Sequence, residues 1–252
     1  MILTDRFNEL VFRFWSRRFA CETLDLDRPH TLFYADAELK SKERAVIYHI
    51  GNMCVLRITP ELLEATDLKS HSLWNRETIT LDSLRAVLKD KWQVELKSTL
   101  LDWFLDADDH QSHLPPDSFT AQRVDGVKED AVLRDLYASV TEQDLDEAEI
   151  YVDEPDPVIF GLFNGDKMIA YTSHRYWEDL ICDIGVLVHP QFRNLGLGKA
   201  VVSALCEWCI ENEKIPMYRV FDDHLHSVRI PEALGFQKLI TISSISIEEK
   251  KE

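Results

Sequence analysis

The chain has 252 residues, 45% of them hydrophobic, and a net charge of −17, which is enough for one large or two small globular domains. So acidic a balance is repelled by nucleic-acid backbones, and no nucleic-acid partner is expected. No apolar run approaches the roughly 18 residues of a membrane span, and charge at Asp5 and Arg6 comes too early for a secretory leader, so no membrane partner is expected.

Residues 4–20 read as an amphipathic helix, with Phe7, Leu10, Val11, Phe14 and Trp15 on one stripe. Residues 44–59 read as two strands around the turn pair Gly51-Asn52. Pro60 opens a short helix to Thr66, and Leu81–Asp90 reads as another. The polar, proline-bearing stretch 109–117 is the best linker, dividing a domain of residues 1–108 from one of residues 118–252. Beyond it, 119–124 suits a strand, 128–140 a helix, and 141–150 an acidic helix capped by Thr141 and Asp144. A hairpin of 158–163 with 167–174 turns at Asn164-Gly165-Asp166. A strand at 181–188, a helix at 196–212, a strand at 217–221, a short helix after Ser227 and a closing strand at 238–247 complete the pattern.

The most informative segment is Val186-Leu187-Val188-His189-Pro190-Gln191-Phe192-Arg193-Asn194-Leu195-Gly196-Leu197-Gly198-Lys199. An apolar strand enters a Pro/Arg loop that opens a helix through two glycines. A helix start presents unpaired N–H groups and a positive dipole end, which suit a phosphate. Three anion motifs compete. The P-loop fails because position 193 is Arg and Ala200 follows Lys199. The dinucleotide fingerprint is weak, because Val201 stands at its third small position and seven residues separate Val188 from Gly196. The third pattern, Arg-x-x-Gly-x-Gly, is present as Arg193, Gly196 and Gly198.

That pattern resembles the acyl-CoA signature of the GNAT superfamily of N-acetyltransferases. Downstream, Ser227, Leu234, Gly235 and Phe236 match the end of the same family's pattern in register. The resemblance spans roughly residues 116–240. The chain departs from the family where His224 replaces the usual Asn and Pro231 the frequent Tyr. It departs again at Cys182, which stands where a catalytic Glu is common.

The resemblance implies an α/β (α+β) fold: a mixed, mainly antiparallel sheet flanked by helices, with a smaller N-terminal α/β domain. That first domain is either a degenerate half of a tandem protein or unrelated; its single glycine, Gly51, rules out a second cradle of this type. The implied co-substrate is acetyl-CoA, or another acyl-CoA, without a metal. Its pyrophosphate would lie on the N–H groups of Asn194, Leu195, Gly196, Leu197, Gly198 and Lys199, with Arg193 beside them. Its pantetheine arm would pair with Val186, Leu187 and Val188, and Ser227 would lie close by, with helix capping by its hydroxyl as the plainer role.

An attacking amine must lose a proton, and the thiolate must gain one. Asp183 and His174 are the candidate bases and Tyr218 the candidate acid, each weighed against an ordinary packing role. The expected function is N-acetylation of a primary amine on a small molecule or peptide, by direct attack in a ternary complex. The alternative is a catalytically weak acyl-CoA sensor of the same fold. Residues 116–252 carry 13 basic and 26 acidic side chains, which serve solubility and would also attract a cationic acceptor within about a Debye length, ~8 Å. Five scattered cysteines argue against a disulfide framework and point to the cytoplasm. Cys206 and Cys209 have no second pair with which to bind zinc. A homodimer is an admissible assembly.

Overall fold

A computed structural model describes residues 5–19, 28–39, 44–71, 77–124, 130–148, 150 and 158–251. Thr4, Ala20, Lys128, Glu129 and Glu149, which edge three of the expected helices, lie outside the described residues. The chain forms two compact units: residues 1–102 with 220–223 and 238–252, and residues 103–219 with 224–237.

The first unit contains helix α1 (Asp5–Arg18), strands β1 (His30–Ala35), β2 (Arg44–Ile50) and β3 (Met53–Ile58), and helices α2 (Pro60–Thr66) and α3 (Leu81–Leu88). It also takes most of strand β4 (Trp92–Phe104) and of β10 (Gln237–Glu249). The strand order is β1-β3-β2-β10-β4, with β1 parallel to β3 and the β3–β2 and β2–β10 pairs antiparallel. Alternation along β2 buries both faces. Ala45 and Ile47 enter an aliphatic core with Leu62, Leu84 and Ile245, whereas Tyr48 meets Trp15 of α1 and Phe19 just beyond it at ring distances of 5.7 and 4.9 Å. Thr59 caps α2 and Thr80 caps α3.

The second unit contains β5 (Thr120–Val124), helices α4 (Asp130–Tyr137) and α5 (Glu142–Glu147), β6 (Ile159–Asn164), β7 (Lys167–Trp177) and β8 (Ile181–Val188). Helix α6 (Leu197–Glu211), β9 (Ile215–Phe221) and α7 (Leu225–Leu234) follow. Its strand order is β9-β8-β7-β6-β5, antiparallel from β8 to β5 and parallel between β8 and β9. One face packs on α4 and α5 through Tyr171 and Leu187. The other packs on α6 through Ala170, Leu197 and Val201. Thr141 and Asp144 form the expected capping box at the start of α5.

Two strands, β1 and β4, stand where the sequence pattern suggested none. Residues 105–113 bond to their own unit. Leu105 donates to the Pro216 carbonyl at 3.0 Å, Gln111 to that of Leu234 at 3.0 Å, and the His113 N–H to Ser203 Oγ at 2.9 Å. Among the described residues, no helix is long and apolar enough to cross a membrane.

Candidate acyl-CoA cradle and active site

The site begins at a break in pairing. Strands β8 and β9 are in register from Ile181↔Ile215 to Ile184↔Tyr218, and the ladder stops there. Strand β8 continues to Val188, paired on its other side with β7 through Val188↔Ala170. Gly185 to Val188 therefore lie on an edge that β9 does not complete, and a strand edge left open in this way can accept an extended amide-bearing chain. Gly185 is required by close approach: a Cβ there would stand 2.2 Å from the carbonyl oxygen of Ala148, just beyond α5.

Past Val188 the chain makes a one-turn helix, Pro190–Phe192, whose first N–H groups are met by His189. Asn194 and Gly196 then adopt left-handed backbone, at φ 66° and 77°. A glycine suits that conformation because it has no Cβ to oppose it. Among the described residues, the backbone N–H groups of Asn194 to Lys199 donate to no backbone carbonyl; the first donor beyond them is Ala200, to Gly196. Successive free N–H groups in such a turn, at the start of the 15-residue helix α6, form an anion-binding concavity. Gly198 keeps the helix close to the open strand, since its Cβ position lies 3.3 Å from Ile230 and 3.5 Å from Val188.

Arg193 turns back on its own loop. Its Nε donates to the Val188 carbonyl at 3.2 Å and its Nη2 pairs with Asp144 at 2.7 Å. The guanidinium therefore ties β8, the cradle loop and α5 together. Burial pushes the Asp144 carboxyl up, but the Thr141 N–H and hydroxyl together with Arg193 outweigh it and hold the group below its usual range.

The structure separates the three proposed catalytic side chains. Tyr218 occupies the last rung before the strands part; it is buried, and its phenol is hydrogen-bonded to Ser227 on α7. Burial raises the phenol above its usual pKa, keeping it a neutral O–H donor. Ser227 does not cap α7: the helix starts after His224, and Ser227 is its third residue, its N–H donating to the His224 carbonyl at 2.9 Å.

Asp183 shares the α4/α5 face with Gly185 and Leu187 by alternation. Its Oδ2 accepts from Arg219 Nε at 2.8 Å and Nη2 at 2.7 Å, with its side chain 5% exposed. The Trp177 ring lies 5.0 Å from the same guanidinium. His174 lies on the opposite face, 1% exposed, with its ring 4.5 Å from Tyr176 and 5.4 Å from Trp208 of α6.

Cys182 points into that same interior. Cys209 donates its S–H toward Cys182, which lowers the Cys182 pKa and raises that of Cys209. Among the described residues no group of His, Cys, Asp and Glu is arranged to hold a metal ion.

One contact has no counterpart in the sequence pattern. His224, at the start of α7, faces Glu147 of α5, with Nδ1 3.8 Å from Oε2. The sequence flags His224 only as a departure from the usual Asn, and nothing in the acidic run 142–147 distinguishes Glu147.

An open strand edge beside a helix start with unpaired N–H groups is a geometry that suits an extended, phosphate-bearing ligand. Residues 129–236 match the model of the acetyltransferase (GNAT) family, and this segment is a GNAT acetyltransferase domain. An acetyltransferase from the GNAT family from Colwellia psychrerythraea shares the fold, with a TM-score of 0.50 at 16% identity over 77% of this chain and 76% of that one. A GCN5-related N-acetyltransferase-like protein from Streptococcus suis aligns at TM-score 0.47 and 18% identity, over 85% of this chain and 87% of its own. A functionally unknown conserved protein from Staphylococcus epidermidis aligns at TM-score 0.49 and 12% identity, over 90% of this chain and 96% of its own. No curated protein matches the chain.

Proposed function

We propose that the protein is an N-acetyltransferase that moves the acetyl group of acetyl-CoA to a primary amine of a small molecule or peptide, within a ternary complex. The observation that carries this reading is the end of the β8–β9 ladder at Ile184↔Tyr218, with the unpaired remainder of β8 leading through a short loop to a helix start whose N–H groups are unpaired. The N–H groups of Asn194 to Lys199 hold the pyrophosphate, with Arg193 fixing the loop rather than meeting the charge. Val186, Leu187 and Val188 offer backbone groups to the pantetheine arm. Acetyl-CoA supplies an activated thioester, and these residues place it beside Tyr218.

Tyr218 is the acid. A buried neutral phenol can give its proton to a leaving thiolate, a role worth about 10²–10⁴-fold in such reactions. Asp183 holds Arg219 and Trp177 in place and shapes the wall on the α4/α5 face. His174 is a packing residue between β7 and α6.

A second reading, an acyl-CoA sensor with little turnover, is favoured by one observation: Asp183 is clamped twice by Arg219. The two readings separate when acetyl-CoA is incubated with a panel of polyamines, amino acids and peptides and free thiol is followed. Thiol release that depends on an amine supports the transferase. Saturable acetyl-CoA binding without release across the panel supports the sensor.

A further inference from the structure

We infer that His224, which faces Glu147, takes the proton from the acceptor amine; this rests on the transferase reading above. Helix α7 lies on the α6 face, with Ile230 3.3 Å from the Cβ position of Gly198. Helix α5 lies on the other face, with Ala148 against Gly185. Side chains from opposite faces meet only where the sheet is open, so the 3.8 Å contact of His224 with Glu147 marks the parting of β8 and β9. Each member is tied to one lip of the opening. Glu147 precedes Ala148, which touches Gly185, the first β8 residue past the ladder. His224 lies one helical turn from Ser227, the partner of Tyr218 on the last rung.

Access distinguishes this pair from the other ionisable groups. The His224 and Glu147 side chains are 34% and 39% exposed, whereas His174 and Cys182 are buried and Asp183 is held by Arg219. An imidazole is the side chain best suited to exchange a proton near neutral pH, and the Glu147 carboxylate lies on its Nδ1 side at 3.8 Å, an ion-pair distance rather than a hydrogen bond. Ionisable groups near His224 include Glu147 from α5, Asp222 and Asp223, which precede it in the chain, and, on its own helix, the exposed His226 and Arg229.

Neutral His224 removes one proton from the ammonium group and later releases it to solvent. The amine nitrogen bonds to the thioester carbon as the C–S bond breaks. Tyr218 protonates the thiolate and regains a proton, through solvent, from the nitrogen that becomes the amide.

The test compares wild type with H224N, E147Q and H224A, using acetyl-CoA and the best amine of the panel, across pH 5 to 9. H224N is expected to lose kcat by about 10²-fold and to lose the acid limb of its pH profile, while acetyl-CoA binding by calorimetry stays within about twofold, which shows that the fold and cradle persist. E147Q is expected to lose less, and added imidazole is expected to restore part of the H224A rate. Wild-type turnover with an unchanged acid limb in H224N would overturn this assignment alone. No wild-type turnover with any amine would overturn it together with the transferase reading.

Discussion

Gly185 lies against the carbonyl of Ala148 so closely that a side chain at 185 would stand 2.2 Å from that oxygen. The contact seats the end of α5 on the edge of β8 just past the last β8–β9 rung. Gly185→Ala must push α5 from the strand. The expected result is a loss of about 1–3 kcal/mol in stability, as for other overpacked sites, read from urea unfolding. Acetyl-CoA affinity should fall with it.

Tyr218→Phe removes the phenol O–H and leaves the ring, which packs 6.3 Å from Phe236. Steady-state kinetics should show kcat reduced by about 10²-fold with the KM for acetyl-CoA little changed. A KM effect without a kcat effect would assign the phenol to packing.

Much of the cradle was legible in the sequence because it is local. The spacing of Arg193, Gly196 and Gly198 and the limits of the strand 181–188 lie within twenty residues, and backbone conformation at a helix start is encoded where it occurs. Strand β4 was not legible: Glu95, Lys97 and Asp102 interrupt its apolar pattern, and its three leucines read as readily as helix. The pairs Asp183–Arg219 and His224–Glu147 were not legible either. Each joins separate elements, and their meeting depends on sheet register and on how α5 and α7 dock. Periodicity carries no record of either.

The Asp183–Arg219 pair is nearly closed to solvent on the carboxylate side. Asp183→Ala leaves Arg219 without that partner and should cost about 3–5 kcal/mol, as for other broken buried pairs. Asp183→Asn, which keeps one acceptor, should cost less. Thermal or urea unfolding of both variants checks the order.

The Asp144–Arg193 pair makes a prediction about pH. The Asp144 carboxyl sits below its usual value when folded, so its stabilisation is complete above the unfolded carboxylate value, about 3.9. It is lost as pH falls through the lower folded value. The pair is partly exposed, so its contribution is modest, about 1 kcal/mol or less. Asp144→Asn should lower the melting temperature at pH 7 and make no difference at pH 2. The same substitution frees Arg193 from α5 and should weaken acetyl-CoA binding several-fold.

The proposed acyl-CoA cradle joins the N–H groups of Asn194 to Lys199 to the open edge of β8. Calorimetric titration of the wild-type protein with acetyl-CoA, alongside a Gly198→Val variant whose branched side chain would crowd Ile230, Val188 and the cradle, tests it most directly. Wild type is expected to show saturable one-site binding, and the variant a loss of at least about tenfold, about 1.4 kcal/mol. An absence of binding heat at millimolar acetyl-CoA in the folded wild-type protein, or equal affinity in the folded variant, would contradict it.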